Sequence, residues 1–183
     1  MFTPKLALPS LATAMLLGGC AMNDSGYTPA SKGPGLGEAA SAAEIALVDI
    51  SVPASGVGLP AGSGDARAGA KVYVAKCQVC HGEKGTGKPA DPLVGGKGTL
   101  ASPNAVRTVG SYWPYATTLF DYTRRAMPVT APRSLTPDEV YAVTAYILYL
   151  NGIVSETQTI DAQTLPQVKM PNRDGFVDYS NVR

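Results

Sequence analysis

Cys77-Gln78-Val79-Cys80-His81 sets two thiols three residues apart and puts an imidazole directly after the second. That spacing suits one chemistry in particular. Both sulfurs reach one edge of a porphyrin and add to its vinyl groups as thioethers, while the adjacent imidazole nitrogen turns onto the iron. The other uses of a Cys-x-x-Cys pair are a disulfide or one half of a zinc site. Zinc lacks a second cysteine pair, because the chain holds three cysteines and the third, Cys20, lies far upstream. His81 is the one histidine of the chain. One haem c is therefore expected, covalently held by Cys77 and Cys80 and ligated by His81.

With no second imidazole, the opposite axial ligand falls to a methionine thioether. Met127 and Met170 follow the motif and Met22 precedes it. Met127 lies 46 residues after His81, is followed by Pro128 and comes before the last well-marked helix, and it is the expected ligand. Met170 also precedes a proline, Pro171, but follows that helix and would need the tail to fold back. The alternative for Met127 is a core side chain filling an irregular gap, with the iron left five-coordinate. Two filled axial positions leave none for oxygen or peroxide, and the neutral, soft sulfur raises the potential. Single-electron relay is the chemistry this donor set supports.

Two helices are expected to position these groups. The first opens at Asp65, an N-cap type of residue, and runs into Cys77. The last has Thr136 as N-cap, Pro137 at the first helical position, Glu139 as capping-box partner and Gly152 as its stop. Its body, Val140 to Leu150, carries no charge on any face. Such a helix is buried nearly all round. One side packs on the first helix and the haem; the other is covered by the tail, residues 153–183, or by a partner protein.

The chain of 183 residues, 45% apolar and with a formal charge of +1, suits one domain with extensions and is no polycationic nucleic-acid binder. Lys5 followed by an apolar run from Leu6 to Leu17 reads as an export signal too short to span a bilayer. Leu17-Gly18-Gly19-Cys20 is similar to the lipobox at which bacterial lipoproteins are cleaved and acylated. Residues 1–20 are therefore expected to be a lipoprotein-type signal with Cys20 as the acylation site. The protein would be lipid-anchored on the periplasmic side of a bacterial membrane, the compartment type in which haem c is attached. Residues 21–43, rich in Gly, Ala, Ser and Pro, are expected to be a flexible tether, spanning on the order of 25 Å. Residues 44–64 are expected to be an extended segment, 65–152 the haem domain and 153–183 a tail. Between Asp65 and Gly152, ten Lys and Arg against six Asp and Glu leave a basic surplus. Either several of these bases ring the haem edge and steer an acidic redox partner, or they form nothing more than a solvated face.

The order of attachment motif, Met-Pro loop and terminal helix resembles the class I cytochromes c. That resemblance implies an all-α fold: a small helical domain wrapped around one covalently bound haem, here with extended N- and C-terminal segments. It implies a close helix crossing at Gly69 and Tyr73. It also implies a loop, Pro92-Leu93-Val94-Gly95-Gly96, whose proline carbonyl accepts a hydrogen bond from the ligand histidine. Tyr112, Trp113, Tyr115 and Arg124 or Arg125 are expected to wall the pocket or meet the propionates. Three stretches narrow the resemblance: Gly58 to Gly64, Tyr112-Trp113-Pro114-Tyr115-Ala116 continuing through Arg124-Arg125-Ala126-Met127-Pro128, and Met170-Pro171-Asn172-Arg173-Asp174-Gly175-Phe176. Together they resemble the monohaem cytochrome subunits of sulfite and sulfane dehydrogenases, in which a molybdenum-cofactor subunit oxidises the sulfur compound and passes electrons singly to the haem. The implied function is that of an electron-accepting subunit, itself without a catalytic centre, whose tail around Met170 to Phe176 lies against the molybdenum partner. The competing readings are a free-standing, membrane-tethered carrier between a respiratory complex and a terminal oxidase, and a haem sensor or peroxidase-like enzyme.

Overall fold

A computed structural model describes residues 37–177, and residues from Ala40 onward form one unit to which every element below belongs. The expected signal with Cys20, Met22 and most of the expected tether lie outside the described residues. Five helices follow in order: α1 Ala42–Val48, α2 Ala66–Lys76, α3 Gln78–His81, α4 Ala116–Ala126 and α5 Pro137–Leu150. Two two-residue strands, β1 Ser63–Gly64 and β2 Ile160–Asp161, pair antiparallel with Ser63 opposite Asp161 and Gly64 opposite Ile160. None of the described helices is long and apolar enough to cross a membrane.

The segment expected to be extended over 44–64 begins instead as helix. Ser41 Oγ accepts from the Glu44 amide at 3.3 Å, and the Glu44 carboxylate accepts from the Ser41 amide at 2.8 Å, a reciprocal cap that nucleates α1. The partial alternation of Ile45, Leu47 and Val48 hid it, since all three are exposed and have no buried face to signal. From Asp49 the chain does run as an irregular arm across α4. Asp121 Oδ1 accepts from the Val52 amide at 2.9 Å, Arg124 Nη1 donates to the Ile50 carbonyl at 3.2 Å, and Thr117 Oγ1 donates to the Ala54 carbonyl at 3.3 Å.

Burial pushes the Asp121 carboxyl up, but hydrogen bonds from Arg125 and the Val52 amide, helped by the Arg125 and Arg124 charges, outweigh it and hold the group below its ordinary value. A carboxylate so depressed stabilises the fold above its unfolded pKa of about 3.9, and that contribution is lost as pH falls through the folded value. Asp121→Ala should cost about 2 kcal/mol at neutral pH, because it orphans a buried amide and an arginine. The difference between wild type and variant should shrink in acid, and urea midpoints at pH 7 and pH 3 would show it. An equal difference at both values would separate the arm from this charge.

Helix α2 starts where Asp65 accepts from the Ala68 amide at 2.8 Å. Helix α5 starts with Thr136 and Glu139 in a capping box. The two cross at Gly69. A Cβ placed there would stand 1.9 Å from the Ala142 carbonyl oxygen, so the backbones meet with no room for a side chain. One turn on, the rings of Tyr73 and Tyr146 meet at 5.3 Å, inclined at 55°, and Tyr73 Oη donates to the Gly82 carbonyl at 2.9 Å. Gly69→Val must push the helices apart, at about 3 kcal/mol or more and about 10 °C in Tm. Differential scanning calorimetry would measure it, and a parental Tm would refute the close crossing.

Helix α5 is the axis of the core: Val140, Tyr141, Val143, Ala145, Ile147 and Leu148 are all buried. The open question of what covers its second side is answered within the chain. Val154, Ile160, Leu165, Val168 and Met170 of the tail join the same core cluster as Val52, Phe120 and Tyr141. Tyr141 Oη, donating to the Pro60 carbonyl at 2.9 Å, ties the arm to the same helix.

Candidate functional site

Cys77 ends α2 and opens α3, and the single turn that follows brings the motif to one side. The Cys80 and His81 amides donate to the Cys77 carbonyl at 3.1 and 3.0 Å. Both thiols are free, which leaves no disulfide in the motif. Among the described residues no group of three His, Cys, Asp or Glu side chains is placed to hold a metal ion, so the zinc alternative finds no further donors. Before a thioether forms, burial pushes the Cys77 thiol up to about 11 in its apolar wall.

After His81 the chain reverses tightly. Gly82 has φ +74°, and a Cβ there would meet the Gly87 carbonyl oxygen at 2.3 Å, so glycine alone fits the turn. The returning segment is held by Gly87 and Ala90 amides donating to the His81 and Cys80 carbonyls at 2.8 and 2.9 Å. It delivers a carbonyl to the imidazole: His81 Nδ1 lies 3.2 Å from the Asp91 oxygen. A carbonyl can only accept, so Nδ1 carries the proton and Nε2 keeps its lone pair. The acceptor expected was the Pro92 carbonyl; the structure supplies that of the residue before. Proline restricts its predecessor to extended backbone, which is how Pro92 aims the Asp91 carbonyl without itself lining the site.

These groups face a cavity of about 510 Å³, within the range of cofactor pockets. Cys77, Cys80, His81, Trp113 and Met127 all line it, with Leu93, Val109, Leu119, Val143 and Ile147 completing an almost wholly carbon wall. Met127 arrives there as the cap residue of α4, its amide donating to the Thr123 carbonyl at 3.1 Å. Met170, 3% exposed, is packed in the core and borders a different cleft, formed by residues of the tail. Two thiols, an imidazole with a free lone pair and a thioether on one apolar cavity fit a covalently held haem.

The remaining expected residues divide. Trp113 is on the wall, its ring edge-on to Tyr122 at 6.0 Å. Tyr112, Tyr115, Arg124 and Arg125 are not. Tyr112 packs against Phe176 at 5.2 Å, and Arg173 lies over the Tyr115 ring at 4.3 Å. Arg124 is spent on the Ile50 carbonyl, and Arg125 pairs with Asp121 one turn back on α4. The expected bases contribute little to the cavity wall itself. Lys76 alone among the described lysines and arginines lines the cavity, and its Nζ is 3.0 Å from the Glu139 carboxylate, while Val79 and Val129 of the lining are exposed. Six of the ten bases make local contacts: Arg67 with Glu156, Lys76 with Glu139, Arg107 with the Tyr112 ring, Arg124 with the Ile50 carbonyl, Arg125 with Asp121 and Arg133 with the Val48 carbonyl.

Helix α4 and its wall residues Leu119 and Tyr122 escaped the reading of the sequence. Ala116, Leu119, Phe120 and Thr123 stand at helical spacing and carried the signal, but three threonines and the lack of a capping side chain at Tyr115 concealed it.

Residues 64–147 match the family described as "Cytochrome C oxidase, cbb3-type, subunit III". Among solved structures, a chain of the sulfane dehydrogenase SoxCD from Paracoccus pantotrophus superposes with a TM-score of 0.75 and 38% identity, over 82% of this chain and 76% of that one. A chain of thiosulfate dehydrogenase TsdBA from Marichromatium purpuratum, as isolated, gives a TM-score of 0.34 and 29% identity, over 46% of this chain and 17% of that one. No curated protein sequence matches.

Proposed function

We propose, from the premise that this chain belongs to the class I c-type cytochromes represented by the matched SoxCD chain and carries one haem c, that it is the electron-accepting subunit of a sulfite or sulfane dehydrogenase. In this reading a molybdenum-cofactor partner oxidises the sulfur compound and hands electrons on one at a time. The observation that carries it is the convergence of Cys77, Cys80, His81 and Met127 on one apolar cavity, in a chain 38% identical to one from a sulfane dehydrogenase. Bound there, the haem supplies a one-electron iron couple. Cys77 and Cys80 would hold the haem covalently, His81 Nε2 and the Met127 sulfur would ligate its iron, and the Asp91 carbonyl would keep the imidazole in its ligating tautomer. The carbon wall excludes water, which with the thioether favours a high potential suited to accepting electrons.

The helical domain would thus wrap the haem, with the arm and tail folded over α4 and α5. An export signal and acylation at Cys20 belong to the same proposal and place the protein on the periplasmic side of a membrane. A lipid label lost on Cys20→Ser would support the anchor, and labelling of that variant would refute it.

The test of function is reduction of the purified haem protein by sulfite, or by a sulfane donor, in the presence of a molybdenum sulfur dehydrogenase. Rapid reduction that requires the dehydrogenase is expected. Reduction by a quinol-oxidising complex alone would overturn the subunit reading and identify the free-standing carrier.

A further inference from the structure

The C-terminal strap, residues 170–176, closes on the loop that carries Trp113. Met170 anchors it in the core. The Arg173 amide donates to the Met170 carbonyl at 3.1 Å and the Gly175 amide to the Asn172 carbonyl at 3.2 Å, so the strap turns back on itself. Three side chains then reach the segment 112–115. Asn172 Nδ2 donates to the Tyr112 carbonyl at 2.7 Å, the Arg173 guanidinium lies 4.3 Å from the centre of the Tyr115 ring, and Phe176 meets Tyr112 edge-on at 5.2 Å. Trp113 sits between the two tyrosines so gripped, on the cavity wall.

We infer that the strap is a positioning element for the haem site: Asn172, Arg173 and Phe176 hold Trp113 in the wall and so set how much water reaches the haem. The inference rests on the reading that haem fills this cavity. Its physical ground is that Trp113 stands ahead of α4 in a stretch of turns, where no helix or ladder fixes the backbone, so its placement depends on what grips the loop. The tail expected against a partner protein is engaged with its own chain. An indole that swings out admits water, and water favours the more highly charged, oxidised iron. Tyr112 and Phe176 are 36% and 51% exposed, so trimming these contacts does not empty the core.

The test uses the full-length, haem-loaded protein with Asn172→Ala, Arg173→Ala and Phe176→Ala combined. Trp113 is the chain's single tryptophan, so its emission reports directly on its distance from the quenching haem. Emission is expected to rise at least twofold. At a fixed ambient potential the reduced-to-oxidised ratio should fall up to tenfold, about 59 mV for one electron. Phe176→Tyr alone, which keeps the edge-on packing, should leave both at parental values. Covalent pigment after denaturation is measured in every sample. Its absence from the parent would end the haem reading, whereas parental emission and ratio in a fully loaded triple variant would overturn the strap's role. Should the triple variant load poorly, Asn172→Ala carries the same test, with the same direction expected and parental values again overturning the role.

Discussion

Met127→Ala should abolish the sulfur-to-iron charge-transfer absorption at the red end of the spectrum and lower the midpoint potential by a sizeable part of the ~0.8 V that axial ligation spans. Met170→Ala should leave the band in place and cost about 2–5 kcal/mol, the usual result of truncating a core methionine. The two residues look alike in the chain, each followed by proline. They part in space: Met127 caps α4 on the cavity, while Met170 is 3% exposed and borders another cleft. A band that survived Met127→Ala and vanished in Met170→Ala would require the tail to enter the cavity and would overturn the ligand assignment.

Ending the chain after Gly152 should prevent folding altogether. The truncation strips Val154, Ile160, Leu165, Val168 and Met170 from the core, all at or below 9% exposure. At about 1.5–3 kcal/mol for each buried side chain, the loss is on the order of 10 kcal/mol. That equals the whole stability of a typical domain. It also removes the strand partner of Ser63 and Gly64, and with it a tie holding the chain just before α2. Expression of the truncated protein should give no covalently loaded, cooperatively melting material. A stable, haem-bearing product would show that the tail merely decorates the domain. Because the tail is part of the core, its deletion cannot serve as a test of partner binding; substitutions confined to the strap can.

Much of the scaffold was legible because its signals are local. A cap at Asp65 and a capping box at Thr136 and Glu139 each act within one turn of chain, whereas the crossing at Gly69 was implied by the family resemblance and is made with Ala142 on the other helix. Helix α1 was misread because its apolar residues have nothing to bury against, so periodicity was absent where capping chemistry was present. The hydrogen-bond acceptor for His81 was placed one residue off because a main-chain carbonyl leaves no side-chain mark. Arg124 and Tyr112 were expected at the pocket wall or the propionates by their type; the wall does not include them, since Arg124 donates to the Ile50 carbonyl and Tyr112 packs on Phe176.

The sequence by itself determined the chemistry: two thiols and an imidazole within five residues, one histidine, and a methionine at the mouth of the last loop dictate a thioether-bound, one-electron centre. Those facts depend on bonds and on spacings of a few residues. Which methionine faces the cavity, what covers α5, and which side chains grip Trp113 depend on contacts between residues far apart in the chain, 60 positions for Asn172 and Tyr112 and 81 for Tyr141 and Pro60. Only the packed chain decides such pairings, since burial of the tail and the arm fixes at once which polar groups remain free to act.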